Sequence, residues 1–184
     1  MRFSLWKKKK PPDTPQSLAE VTILIHTPSK LDELFHQSVQ DSSFHVKEEN
    51  ADDAEEPVPA LSKAAHTEWL ILGLYVVRQK VGNKLASKSD RNHLLDGFFN
   101  QVYSRMEGNG FSRFEMTIFE SDVRMRFSEY DELANGHESL AERAGYHLLA
   151  ENGAQYLVKF AVIAHVAGHL LAFAELVDRV LCRA

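Results

Sequence analysis

Few residues in this sequence stand at spacings that support chemistry. His165 and His169, in HVAGH, lie four apart and share one face of a helix, a spacing at which two imidazoles can hold one metal ion. The zinc-protease version of that pattern carries a glutamate directly after the first histidine as general base, and here Val166 holds the position. Glu175 lies six residues past His169, toward another face, so no third ligand is in register. Two imidazoles in an apolar helix otherwise serve as polar groups satisfied inside a core. No metal is expected, and His165 and His169 are the alternative should one bind.

The remaining candidates are weaker. His137 and Glu138 follow an Asn-Gly break, and catalysis there would need a partner held within hydrogen-bond reach. Cys182 has Arg179 and Arg183 nearby, which can lower a thiol's pKa. Its place close to the end of the sequence makes it a poor nucleophile. The Gly108-Asn109-Gly110 turn lacks the lysine and the spacing of a phosphate-binding loop, and no G-x-S-x-G occurs. No catalytic residue is assigned, an enzyme is not expected, and no cofactor is implied. Arg124 and Arg126, with Glu120, Glu129 and Asp131, read as charges on a helix surface. Glu120 and Arg124 form a favourable i, i+4 pair worth a few tenths of a kcal/mol.

The elements that hold these residues are helical. Ala60 to Leu85 reads as a long helix whose centre, WLILGLYVV, is nearly all apolar. That run is far shorter than the ~20 residues a bilayer requires, so it is expected as a buried core helix. Asp90 is a helix cap for residues 91–107, where Leu94, Leu95, Phe98, Phe99 and Val102 form an apolar stripe. Ser112-Arg-Phe-Glu115 has the form of a capping box, with Phe111 and Met116 as a hydrophobic staple. The helix that follows runs to about Leu133 and turns Met116, Phe119, Val123, Phe127 and Tyr130 inward. Asn135-Gly136 ends it. Shorter and longer helices follow over 138–150 and 154–181. Ser17 to His26 reads as a short helix broken by Pro28. Ser29 then caps a second segment with Leu31, Leu34, Phe35 and Val39 on one face. The fold class is all-α: a single domain of about five core helices with one or two short N-terminal helices.

Composition divides the chain into a basic tail (1–15), the short helical segments (16–40), an acidic linker (41–59) and the helical domain (60–184). The linker holds seven acids against Lys47 and carries too few apolar residues to repay its ordering entropy. With a net charge of −5, the body is unsuited to neutralising phosphates, and no nucleic-acid partner is expected. One cysteine allows no disulfide within the chain and no cysteine-based zinc site. The opening MRFSLWKKKKPP lacks the apolar stretch of a secretory signal. It reads instead as a foot on an anionic membrane surface or an idle tail. Arg2 and Lys7, Lys8, Lys9 and Lys10 would each contribute about 1 kcal/mol against anionic headgroups. Phe3, Leu5 and Trp6 would sit at the interface.

Three stretches carry a resemblance. WLILGLYVVRQKV, LLDGFFNQVYSRMEGNGFSRFEM and VRMRFSEYDELA are similar to segments of the ubiquinol–cytochrome c chaperone family, the assembly factors for cytochrome b of the respiratory bc1 complex. The last stretch matches an Arg-x5-Tyr-Asp-Glu pattern at Arg124, Tyr130, Asp131 and Glu132. The resemblance spans about residues 69–175. It departs from the family at Val123, where a tryptophan would stand. It implies a non-catalytic chaperone, cytoplasmic or mitochondrial-matrix in location and peripheral on the inner face of the membrane. Its client would be a membrane-embedded cytochrome. Phe98, Phe99 and Tyr103 would shape a client-facing groove or the core behind it, and Arg124 and Tyr130 would fix helix packing or touch the client. A helical adaptor in secretion or a toxin–antitoxin pair is a further alternative.

Overall fold

A tryptophan, three leucines and two valines packed into one short stretch can be buried only if helices surround it on several sides. That is what the computed structural model shows. It describes residues 14–33, 62–133, 139–152 and 158–182, with the side chains of 149–152 and 158–161 left aside. The elements are α1 (Thr14–Ile25), α2 (Lys63–Lys84), α3 (Lys88–Gly108), α4 (Arg113–Glu132), α5 (Leu140–Asn152) and α6 (Val158–Leu181). A helical turn over 28–33 joins them, and no strand occurs among the described residues. The fold is all-α.

α2 is the central post. Its apolar side chains serve two cores at once. On one side Ile71, Leu74, Val77 and Val81 pack with Leu18 and Ala19 of α1, Phe98 and Val102 of α3, Phe119 and Val123 of α4, and Phe173 and Val177 of α6. On the other, Trp69, Leu72 and Tyr75 pack with Tyr130 of α4, Ala144 and Leu148 of α5, and Val162 and Val166 of α6. Each fully buried large side chain contributes about 1.5–3 kcal/mol of transfer free energy.

The helix boundaries have local causes. α2 starts after Ser62, whose hydroxyl accepts from the Ala65 amide. α3 starts after Ser87, whose hydroxyl accepts from the Asp90 amide. Asp90 therefore lies inside the first turn and is not the cap, which moves the helix start back to Lys88. α4 carries the expected capping box: Ser112 accepts from the Glu115 amide, and the Glu115 carboxylate accepts from the Ser112 amide at 2.9 Å. That amide, with the Ser112 hydroxyl and Lys63, holds the Glu115 carboxyl below its ordinary pKa. Ser139 and Glu142 repeat the device ahead of α5. At the end of α3, Gly110 takes φ +92°. The Phe111 amide donates to Met106 and the Gly110 amide to Glu107, the paired bonds that close a helix on a left-handed glycine.

Two N-terminal boundaries also shift. Thr14 and Pro15 belong to α1, since proline is tolerated in a first turn, where its missing amide costs no hydrogen bond. The turn after Pro28 begins at that proline, with Thr27 O accepting from the Lys30 and Leu31 amides, so Ser29 is not its cap. Leu31 is buried as expected. Leu34, Phe35 and Val39 lie outside the described residues, as do the basic segment 1–10, the acidic stretch 41–59, and the Asn135-Gly136-His137-Glu138 run.

Candidate functional site

Two clusters of polar side chains are buried against α2, and an open groove lies over one of them. The first cluster is built on Glu68, a carboxylate 5% exposed in the middle of an apolar helix. Arg126 of α4 donates to it through Nε at 2.9 and 3.1 Å, and the Tyr130 hydroxyl donates at 2.6 Å. Arg126 also reaches Glu129, which accepts in turn from Arg143 at 2.7 Å and pairs with His147 at 2.9 Å. Burial works against the Arg126 charge, and the Glu68 and Glu129 carboxylates outweigh it, raising the guanidinium's pKa. Burial also raises Tyr130, and the Glu68 charge adds to it, so the phenol stays protonated as a donor. For Glu129, burial opposes ionisation, but Arg143, His147 and Arg126 together lower its carboxyl. The network ties α2, α4 and α5. Farther along the same seam, Arg78 grips Asp131 through both terminal nitrogens, at 3.1 and 2.8 Å, and lies over the Phe127 ring.

The second cluster has no carboxylate. His26, at the end of α1, donates from Nδ1 to the Thr22 carbonyl at 2.6 Å, and its Nε2 lies 3.2 Å from His169 Nε2. Since Nδ1 of the neutral ring carries the hydrogen, Nε2 of His26 accepts and His169 donates. His169 packs edge-on against Trp69 and parallel to Phe173, and His165 meets Trp69 edge-on. Burial pushes His26 down to about 4. Burial and a charge on His26 would push His169 down to about 3, and burial lowers His165 as well. The HxxxH pair is thus joined by a third histidine, His26, just past the end of α1. Among the described residues, no group of three or more His, Cys, Asp or Glu is placed to hold a metal ion.

The groove runs between α2 and α4, with a volume of about 570 Å³. Ile71, Phe111 and Phe119 contribute its apolar walls, and Glu68 and Arg126 lie in its lining. On its α4 side Ile118 and Met125 line the groove and Phe114 lies one turn before Ile118 on the same helix; the three remain 46%, 54% and 75% exposed. Exposed apolar residues are ordinary one at a time. Three on one side of a helix, beside a groove of mixed apolar and charged lining, are the kind of feature that marks interaction sites.

The residues singled out from sequence are not one site. Phe98 is fully buried, while Phe99 and Tyr103 are half-buried beside Phe127 and Phe119, so these aromatics build the core. Tyr130 fixes helix packing through Glu68. Arg124 stands in solvent, 3.8 Å from Glu120. Arg126 and Glu129, read as surface charges, are instead the centre of the buried network. The signal was present: Arg126 falls three after Val123 and four before Tyr130, within the inward stripe. Glu68 and the Leu18–Thr22–His26 line, which runs along α1 into the turn after it, were legible by the same spacing. Cys182 is exposed and accepts from Lys84 at 2.9 Å.

No described helix is long and apolar enough to cross a membrane. No protein-family model, curated protein or solved structure matches this chain.

Proposed function

We propose that the protein is a non-catalytic helical chaperone or assembly factor that holds an apolar helical segment of a client protein in the groove between α2 and α4. The observation that carries this reading is the exposed line of Phe114, Ile118 and Met125 beside that groove. An apolar row along one wall offers a surface on which the apolar face of an amphipathic helix can lie. The buried ion network under the groove gives it rigid walls, which lowers the entropy cost of capture.

The resemblance of the α2, α3 and α4 sequences to the ubiquinol–cytochrome c chaperone family directs the choice of client toward a membrane-embedded cytochrome. The basic, aromatic opening of the chain suits peripheral attachment to an anionic membrane, with Trp6 at the interface and Lys7 to Lys10 against headgroups. Deleting the gene and recording spectra of b- and c-type cytochromes in isolated membranes tests the choice of client. Loss of the b-type signal, restored by the intact gene, supports it. Unchanged spectra rule out a cytochrome client.

A further inference from the structure

Five ionisable side chains line the α2–α4 groove: Lys63, Glu68, Glu115, Asp122 and Arg126. Four are satisfied in pairs, Lys63 with Glu115 at 3.3 Å and Arg126 with Glu68 at 2.9 Å. Asp122 has no ion-pair or hydrogen-bond partner among the described residues, and it is half-buried. Its helical neighbours on this side are Ile118, one turn before it, and Met125, three residues after it. Its carboxylate therefore faces the open groove with no protein cation against it. A cation brought against it at a site closed off from water would be attracted more strongly than at an open surface.

We propose that the occupant of this groove is an amphipathic helical segment with a lysine or arginine flanking its apolar face, and that this cation pairs with Asp122. The proposal rests on the reading of the groove as a docking site and adds the chemistry of what docks. Apolar side chains of the segment lie on Phe114, Ile118 and Met125 and enter toward Ile71 and Phe119. An acidic residue at the flanking position would face Asp122 uncompensated, so the groove discriminates by charge. Apolar helices edged with lysine and arginine are the composition found where membrane helices leave the bilayer on the cytoplasmic side.

The test uses the full chain and two synthetic amphipathic peptides of leucine and alanine. They are identical except that one position beside the apolar stripe is lysine in the first and glutamine in the second. The lysine peptide is expected to bind about fivefold more tightly, the scale of a partly exposed ion pair. Asp122→Asn should remove that preference. Asp96→Asn, at an exposed position on α3, should leave it intact and so controls for the acidity of the whole protein. Ile118→Glu should abolish binding of both peptides, with circular dichroism and thermal midpoint showing each variant folded. If both peptides bind and the preference survives Asp122→Asn, the charge proposal is overturned while the groove stands. If Ile118→Glu leaves binding unchanged, or if neither peptide binds the native protein, the groove reading itself is overturned.

Discussion

Glu68 and Trp69 are adjacent on α2 and serve two different kinds of buried polar cluster. Glu68 holds charge: a carboxylate, a guanidinium and a phenol within 2.6–3.1 Å. Trp69 covers neutral imidazoles, with His169 edge-on to its ring and His26 bound to His169. Both clusters are satisfied, since no buried side-chain nitrogen or oxygen lacks a partner among the described residues. They fail in different ways. A charged cluster cannot lose one member cheaply, because the partner charge is left buried and uncompensated. A neutral histidine cluster tolerates its neighbours but cannot take up a proton cheaply.

The largest expected effect breaks the charged side. Glu68→Leu leaves the Arg126 charge and the Tyr130 hydroxyl without their main acceptor and should cost about 3–5 kcal/mol, read from the urea midpoint. Adding Arg126→Met should return much of that loss, because the pair is then replaced by apolar contacts. A double variant no more stable than the single would mean that the ion pair contributes more than burial of its apolar replacements.

The second effect acts on the histidine side and has a definite sign. In the unfolded chain His26 takes up its proton near 6.5, but in the folded protein only near 4. Between those values the unfolded chain binds more protons, so this contribution is fully present above pH 6.5 and is lost as pH falls toward 4. His26 alone should account for about 3 kcal/mol across that window. The stability lost between pH 6.5 and pH 4 should be smaller in His26→Gln by about that amount, and an equal loss in both proteins would show that the imidazole does not carry it.

The smallest of the three sharpens the comparison on one helix. A Cβ on Gly73 would stand 2.4 Å from the His26 ring, whereas nothing lies within 4 Å of one on Gly82. Gly73→Ala should therefore cost about 1–3 kcal/mol by overpacking the histidine cluster. Gly82→Ala should stabilise by about 0.4–1 kcal/mol through the unfolded chain. Thermal midpoints moving in opposite directions would place the packing constraint at the histidines and not along α2 generally.

Much of the fold could be read from pattern, and less of the site. The WLILGLYVV run, the Ser112–Glu115 box and the glycine turn at Gly110 are local devices, and they appear in the structure where their chemistry requires. The start of α3 is less legible because Ser87 and Asp90 are both acceptable caps, and only the bond from the Asp90 amide to the Ser87 hydroxyl decides between them. Residues far apart in sequence supply the polar clusters: 58 positions separate Arg126 from Glu68, and 143 separate His169 from His26. Spacing shows that such residues face inward but not which partner they meet. The exposed row of Phe114, Ile118 and Met125 was hidden for the opposite reason. Its hydrophobicity merged with that of the inward stripe of α4, and only solvent exposure separates the two.

If the exposed row on α4 receives a client, that contact can be trapped in cells. A photo-crosslinking amino acid placed at Met125, and another at Leu171, which is 70% exposed on α6 and well away from the groove, test it in cells. Met125 is expected to capture a membrane protein through a lysine- or arginine-flanked helix, Leu171 is not, and Ile118→Glu should abolish the capture. Equal capture from both positions, or capture from Met125 that survives Ile118→Glu, would contradict it.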